Sequence, residues 1–502
     1  MKRFLAGALC VALLAPLFAQ EKTSQNSEQK NEKVTLTVEQ AVAYAQEHSR
    51  TLKSAQIDLE MKRRASKYGW NVLLPDLTVS GTMNRTTNAD STWSSIVSGA
   101  GMGAAIATGA TGGNGWAAYA NGEAAAKAAG MEKNESLHWA AVGKIGVSWN
   151  LSLAMIQGIR AAKANYEGGK ISWEQSQREV STQIRKLFYA LLLQQESLKI
   201  QKTSLENARQ RAVQAETNYH NGLVPEISML SAQVTYQNEI PEVETAELEL
   251  EQTLDTFAFL MGYPVGTKLE LVGSIEPTYI DANTEDLLAR YGGNNLDIQA
   301  IRSNLDLLKI QLSANNLSTW TPALVISYAW QPTLAPYALD FDKWGTGSNW
   351  TDKGALSFTL AWNITNMLPW SKNRQSAADI RANIAKLEIA LETLLENQKV
   401  EVRQTVDTLN QAREQIVAMG RNVTLAQRSY DMSARQYRNG TIELLDLRDR
   451  EAQLNQAKLG QLSQKFNYIS ALMDLEKALN VGLSRPANAG APAENAAKIS
   501  TN

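Results

Sequence analysis

Very few side chains in this chain could carry chemistry. There is one cysteine, Cys10, and three histidines, His48, His138 and His220. The cysteine stands inside an apolar N-terminal run. The histidines fall in a helical pattern, a loop and a turn, so no pair has the spacing of metal ligands. A disulfide scaffold and a Cys/His zinc site are excluded. No Ser/His/Asp arrangement, His-Glu-x-x-His helix or phosphate-binding loop is present. The Gly-rich run Gly99–Gly115 has no Lys-Ser/Thr after it and no strand-to-helix context, so it reads as a flexible loop. Without convergent groups the chain is read as non-enzymatic: no catalytic residue, no cofactor, no metal.

The absence of a site turns attention to the elements. The chain has 502 residues, 44% apolar and 20% charged, with a formal net charge of −2 and a mean hydropathy of −0.29. Nothing basic enough for a nucleic-acid binder is present, and the apolar share is too high for a disordered chain. Lys2 and Arg3 followed by apolar Phe4–Phe18 and a small residue, Ala19, form a secretory signal over residues 1–19. Leu9 before Cys10, in the middle of the apolar run, argues against lipid attachment. Residues 20–33 read as a disordered leader and 483–502 as a disordered tail. Beyond the signal no apolar run is long enough for a membrane-spanning helix.

The remaining chain is written twice. Tyr219-His220-Asn221-Gly222 matches Tyr437-Arg438-Asn439-Gly440, 218 residues on, and Val147–Leu151 matches Leu360–Ile364, 213 residues on. This divides the chain into a first repeat (34–262), a Gly/Pro-punctuated link (263–283) and a second repeat (284–482). Each repeat runs helix, strand, long loop, strand, then two long helices.

Four strands are expected, at about 76–86, 143–153, 323–332 and 355–365. Leu77, Val79, Gly81 and Met83 alternate with Thr78, Ser80, Thr82 and Asn84, and the other three alternate likewise. Such period-2 segments have one apolar and one polar face. A soluble sandwich and an outer-membrane barrel both fit that pattern. Tryptophan placement decides for the barrel. Eleven of twelve tryptophans lie in residues 70–149 or 320–370, Trp173 being the exception, as interfacial girdles require. The loops at roughly 88–142 and 333–353 would stand at the extracellular end.

Residues 372–437 hold no proline and one glycine, Gly420, giving about 100 Å of uninterrupted helix at 1.5 Å per residue. Ile380, Ile384, Leu387, Leu391 and Leu394 follow heptad steps, continued by Val402, Val406 and Leu409. Leu191, Leu198, Leu205 and Ala212 do the same within 158–218. Return helices are expected at about 225–261 and 442–481, with Pro241 kinking the first. Four strands cannot close a barrel, and open edges cannot sit in lipid. Copies must share one: two supply eight strands, three supply twelve, and the larger can leave a channel.

The duplicated strand-hairpin and helix-hairpin order resembles the TolC family of outer-membrane efflux proteins over about residues 36–482. The Tyr-x-x-Gly turn followed by 441–451 (TIELLDLRDRE) resembles that family's helix-tip motif. The resemblance implies an α+β membrane protein. It implies a homotrimer with a twelve-stranded β-barrel continuous with a periplasmic α-helical barrel and an equatorial belt at the link. It further implies an outer-membrane location reaching into the periplasm. The partners implied are a periplasmic adaptor (membrane fusion) protein, an inner-membrane pump of RND, ABC or MFS type, and outer-membrane lipid. The function implied is the exit duct of a tripartite efflux or type I secretion system.

The resemblance also carries residues. By distance from the turn glycine, Asp446 and Asp449 match a gating aspartate ring, and Tyr437 joins that gate. Gly222, Leu223, Gly440 and Thr441 match adaptor-docking tips. The first repeat has Ser228 and Ser231 at the aspartate places. Blander readings stay open for each: aspartates favouring a helix N-terminus, a packed tyrosine and plain helix caps. A non-conducting coiled-coil envelope protein stays open for the whole.

Overall fold

The structure is a computed structural model that describes residues 34–87, 93–98, 115–128, 138–264, 266–335 and 338–483. The export signal, the 20–33 leader, the Gly-rich run before Gly115 and the tail from residue 484 lie outside the described residues. In chain order the helices are α1 Val38–His48, α2 Arg50–Lys67, α3 Gly115–Ala128, α4 Leu153–His220, α5 Glu226–Met261, α6 Thr284–Tyr291, α7 Leu296–Trp320, α8 Lys372–Arg438 and α9 Leu444–Leu479. The strands are β1 Val34–Leu36, β2 Asp76–Arg85, β3 Trp139–Leu151, β4 Leu269–Leu271, β5 Ala323–Trp330, β6 Thr333–Leu334, β7 Trp350–Thr351 and β8 Gly354–Ala361.

The described residues form two compact units. One lies within Met1–Ser49, Gln183–Glu276 and Ala418–Phe466; the other within Arg50–Thr182, Pro277–Val417 and Asn467–Asn502. Each unit draws on both sequence repeats. Within the sheet, β2–β3 and β5–β8 each pair inside one repeat, and β3 joins the two repeats by pairing with β5 and β6.

The second unit holds the sheet. Antiparallel pairing runs β2-β3-β5-β8, with the short β6 and β7 added beside β3. Ladder rows cross all four main strands: Leu77, Val147, Tyr328 and Leu356 form one row, and Asp76, Ser148, Ser327 and Ser357 the next. Period-2 alternation therefore makes one face apolar from edge to edge and the other polar. The apolar face is left open rather than covered. Val79 is 74% exposed, Phe358 68% and Leu360 71%. Among the described residues β2 pairs only with β3, and β8 only with β5. Tryptophans mark both ends of the strands: Trp139, Trp330 and Trp350 toward the loops, Trp149, Trp320 and Trp362 toward the helices.

The strand boundaries correct the expectation at four points. β3 begins at Trp139 rather than 143, because residues expected in a loop pair with Thr82–Arg85 and with β6. It ends at Leu151, and Leu153 starts α4. β8 ends at Ala361, because the Asn363 side chain accepts from the Thr365 backbone N–H (3.2 Å) and turns the chain into a short 3-10 helix, Ile364–Met367. β5 stops at Trp330, two residues early, just before Pro332, which has no N–H to donate. The second long loop is not featureless: it contains β6 and β7.

The same unit has an apolar core between α8 and α9. Val402, Val406, Leu409 and Ile416 pack with Tyr468, Leu472, Leu475 and Leu479, which is the heptad stripe in use. The Tyr468 hydroxyl accepts from the Ile280 N–H (3.0 Å), and Asn295 caps α7 while donating to the Ala478 carbonyl (3.0 Å). By contrast Ile380, Ile384, Leu387, Leu391 and Leu394, the earlier stretch of that stripe, are only half-buried.

In the first unit Phe188, Leu191, Phe257 and Met261 are buried, with the Phe188 and Phe257 rings edge to face. The link contributes one short strand, β4, parallel to β1. α5 continues through Pro241 as one helix, Glu226–Met261.

Candidate functional site: helix tips and a buried polar cluster

All residues matched to a gate or docking tip lie in the first unit. The two tip turns are the same construction. Gly222 (φ +72°) donates to the Tyr219 carbonyl (2.9 Å), and Leu223 donates to the Asn218 carbonyl (2.8 Å). Gly440 (φ +73°) donates to the Tyr437 carbonyl (2.9 Å), and Thr441 to the Gln436 carbonyl (3.0 Å). This is the paired bonding of a Schellman cap, and the positive φ explains why each turn carries glycine. Leu223 is 72% exposed at its tip, and Gly222, Gly440 and Thr441 are exposed too.

Asp446 lies in the first turn of α9 and Asp449 one turn later; both are exposed. Three residues apart, they share a helix face. Tyr437 is half-buried, and burial pushes its phenol pKa up. The structure brings the three onto neighbouring ends of α8 and α9, with no hydrogen bond among the described residues between Tyr437 and either aspartate.

Sequence reasoning missed a buried cluster near the same tips. The Arg211 Nη1 and Glu451 Oε2 atoms lie 2.6 Å apart, and both side chains are buried. The Asn207 amide donates to Glu451 Oε1 (2.7 Å), while Arg211 Nη2 is buried without a hydrogen-bond partner. Glu239 on α5 is held above the usual carboxylate range by burial and by the Glu451 charge. The Tyr430 phenol is raised for the same two reasons. Thus α4, α5, α8 and α9 each bring a titratable group to one place. A signal for it existed. Arg211 stands eleven residues before Gly222, and Glu451 eleven after Gly440, so two antiparallel helices of equal depth bring them level.

Beside the cluster is an open groove of about 580 Å³, lined among others by Gln201, Ile227, Leu230, Val234 and Arg448. Ile227 and Val234 are exposed there, one heptad apart. Among the described residues no group of three or more His, Cys, Asp or Glu is placed to hold a metal ion, and no helix is long and apolar enough to cross a membrane.

No protein-family profile matches the chain, and no curated protein does. Solved structures do. The Campylobacter jejuni CmeC outer membrane channel is 16% identical, with a TM-score of 0.66 over 88% of this chain and 85% of that one. The outer membrane protein VceC from Vibrio cholerae is 14% identical (TM-score 0.63; 89% and 96% covered). The open state of the Neisseria gonorrhoeae MtrE outer membrane channel is 16% identical (TM-score 0.63; 89% of each). The likeness runs almost end to end, so this chain has the fold of these outer-membrane proteins.

Proposed function

We propose that the chain is an outer-membrane channel, the exit duct of a tripartite efflux or type I secretion system. The observation that carries this reading is the four-stranded sheet. It has one apolar face, open on its outer strands, a polar face, tryptophans at both ends of its strands and two edges unpaired among the described residues. Unpaired backbone groups at depth in lipid cost several kcal/mol each. The edges must therefore meet those of other copies, polar faces inward. Three copies give twelve strands, the homotrimer that the resemblance to the TolC family implies. The half-buried heptad stripe Ile380–Leu394 is the surface such copies would cover.

The protein would sit in the outer membrane, in contact with its lipid, with its helices in the periplasm. There a periplasmic adaptor and an inner-membrane pump (RND, ABC or MFS type) would engage it. Gly222, Leu223, Gly440 and Thr441 would be the docking tips, with the exposed Leu223 as apolar contact. Asp446, Asp449 and Tyr437 would narrow the periplasmic end. In a symmetric ring the two aspartates repeat at one level each, attracting cations and repelling one another.

Reconstitution of the detergent-extracted protein in a planar bilayer tests the reading, together with its mass in detergent. Discrete conductance from a trimer is expected; a monomeric mass without conductance overturns it. Replacing both Asp446 and Asp449 by alanine should raise conductance or weaken block by divalent cations. Unchanged currents would remove them from the gate.

A further inference from the structure

The sheet's polar face has an uneven charge. Register places Ser80 opposite Lys144, and one residue beyond the last β5–β8 ladder pair the Gln331 N–H donates to the Lys353 carbonyl (2.7 Å). Ile145 pairs with Trp330, and Trp330 with Gly354. The next row toward the loops is therefore Ser80, Lys144, Gln331 and Lys353. Alternation puts Lys144 on the face of Gly146 and Ser148, and Lys353 on the face of Ala355 and Ser357, which is the polar face in both cases. The two lysines stand two strand spacings apart, about 10 Å.

Both side chains are exposed, and neither ammonium has an ion-pair partner among the described residues. Asp352 alternates to the opposite face and binds the Trp330 indole N–H. Toward the helices the rows of that face hold neutral, mostly small groups such as Thr78, Gly146, Ala329 and Ala355, until Asp76 at the far end. A Cβ on Gly146 would lie 3.8 Å from the Lys144 Cε, so the lysine stem runs along the polar face over that glycine.

We propose that Lys144 and Lys353 form an anion-attracting belt on the wall of the passage, favouring carboxylate, phosphate and sulfate solutes over cationic ones. The proposal rests on the channel reading, in which the polar faces line water. With three copies the belt holds three Lys144 and three Lys353 ammonium groups, each set at one level, and the row of described residues that carries them has no carboxylate. Rings of lysine or arginine select anions in pores, and a field of one sign in a confined passage raises the local concentration of counter-ions. The belt would give the sheet end the sign opposite to that of the aspartate tips.

The test is the reversal potential of the full-length protein in a planar bilayer under a potassium chloride gradient. It is run in the Asp446→Ala, Asp449→Ala background so that tip carboxylates do not set the ion preference. Replacing Lys144 and Lys353 together by glutamine should lower the chloride-to-potassium permeability ratio several-fold. Glutamate should reverse the preference, and arginine should keep it. The differences should be large near 0.01 M salt, where the screening length is about 30 Å, and vanish near 1 M, where it is about 3 Å. One ratio shared by the lysine, glutamine and glutamate proteins at low salt overturns the belt while the channel stands. No conductance from any of them overturns the channel reading and the belt with it.

Discussion

At the residue scale the first unit holds the buried Arg211–Glu451 ion pair. Removing one partner leaves a buried, uncompensated charge, which destabilises a protein by about 3–5 kcal/mol. Arg211→Met alone should therefore lower the denaturant midpoint sharply. Arg211→Met with Glu451→Met should recover most of the loss, because no buried charge remains. Equal loss in both proteins would mean that packing, not charge, is at stake. Glu239 behaves differently. Its pKa is raised in the folded protein, so the folded state holds the proton more tightly than the unfolded chain. Stability from this group is greatest below the unfolded pKa and declines as pH rises through the folded one. Glu239→Gln should stabilise the protein at neutral pH and flatten that decline; a pH profile of the urea midpoint identical to the parent's would contradict it. Arg211 and Glu451 are individually ordinary charges in long helices. Only their equal distance from two turns betrays them.

At the element scale the two tips were legible because helix termination is local chemistry. Tyr-x-x-Gly predicts a left-handed cap, and both glycines adopt it. Gly440→Ala should destabilise the α8–α9 turn by about 1–2 kcal/mol, the usual disadvantage of a Cβ in that conformation. Hydrogen exchange of the Gly440 and Thr441 amides, which close the cap, would register it; unchanged protection would show that the cap contributes little. The helices were also legible, since a heptad stripe and the absence of proline or glycine are enough to call for long α-structure. The strand ends were not. β3 reaches back to Trp139 because the end of β2, Thr82–Arg85, pairs with it, while β6, two residues long and without a periodic signal, adds a partner at Ala141 and Val142.

At the scale of the whole molecule, lipid rather than an apolar core covers the sheet in our reading, so the two faces should answer differently to charge. Phe358→Arg would put a cation on the apolar face and cost up to about 2–4 kcal/mol near the bilayer midplane. Ser357→Arg, one residue away on the polar face, should be tolerated. Heat-stable assembly in outer-membrane extracts distinguishes them; equal tolerance would argue for a surface facing water on both sides. The edges unpaired among the described residues and the half-buried Ile380–Leu394 stripe belong to this scale too, since in our reading further copies would cover both.

The amino-acid sequence by itself determined the duplication, the alternating strands, the long helices and the glycine tips. These depend on periodicities and caps within one segment, where side-chain spacing and backbone conformation act locally. It also determined that chemistry would be sparse. The tertiary structure decided what depends on register and on depth. Pairing β3 with β5 across the two repeats made a single apolar face, and the same register set Lys144 and Lys353 in one row. Antiparallel docking of α4 and α9 buried Arg211 against Glu451. No periodicity encodes such contacts, because each depends on how far one element slides along another, and that is settled by the packing of the whole.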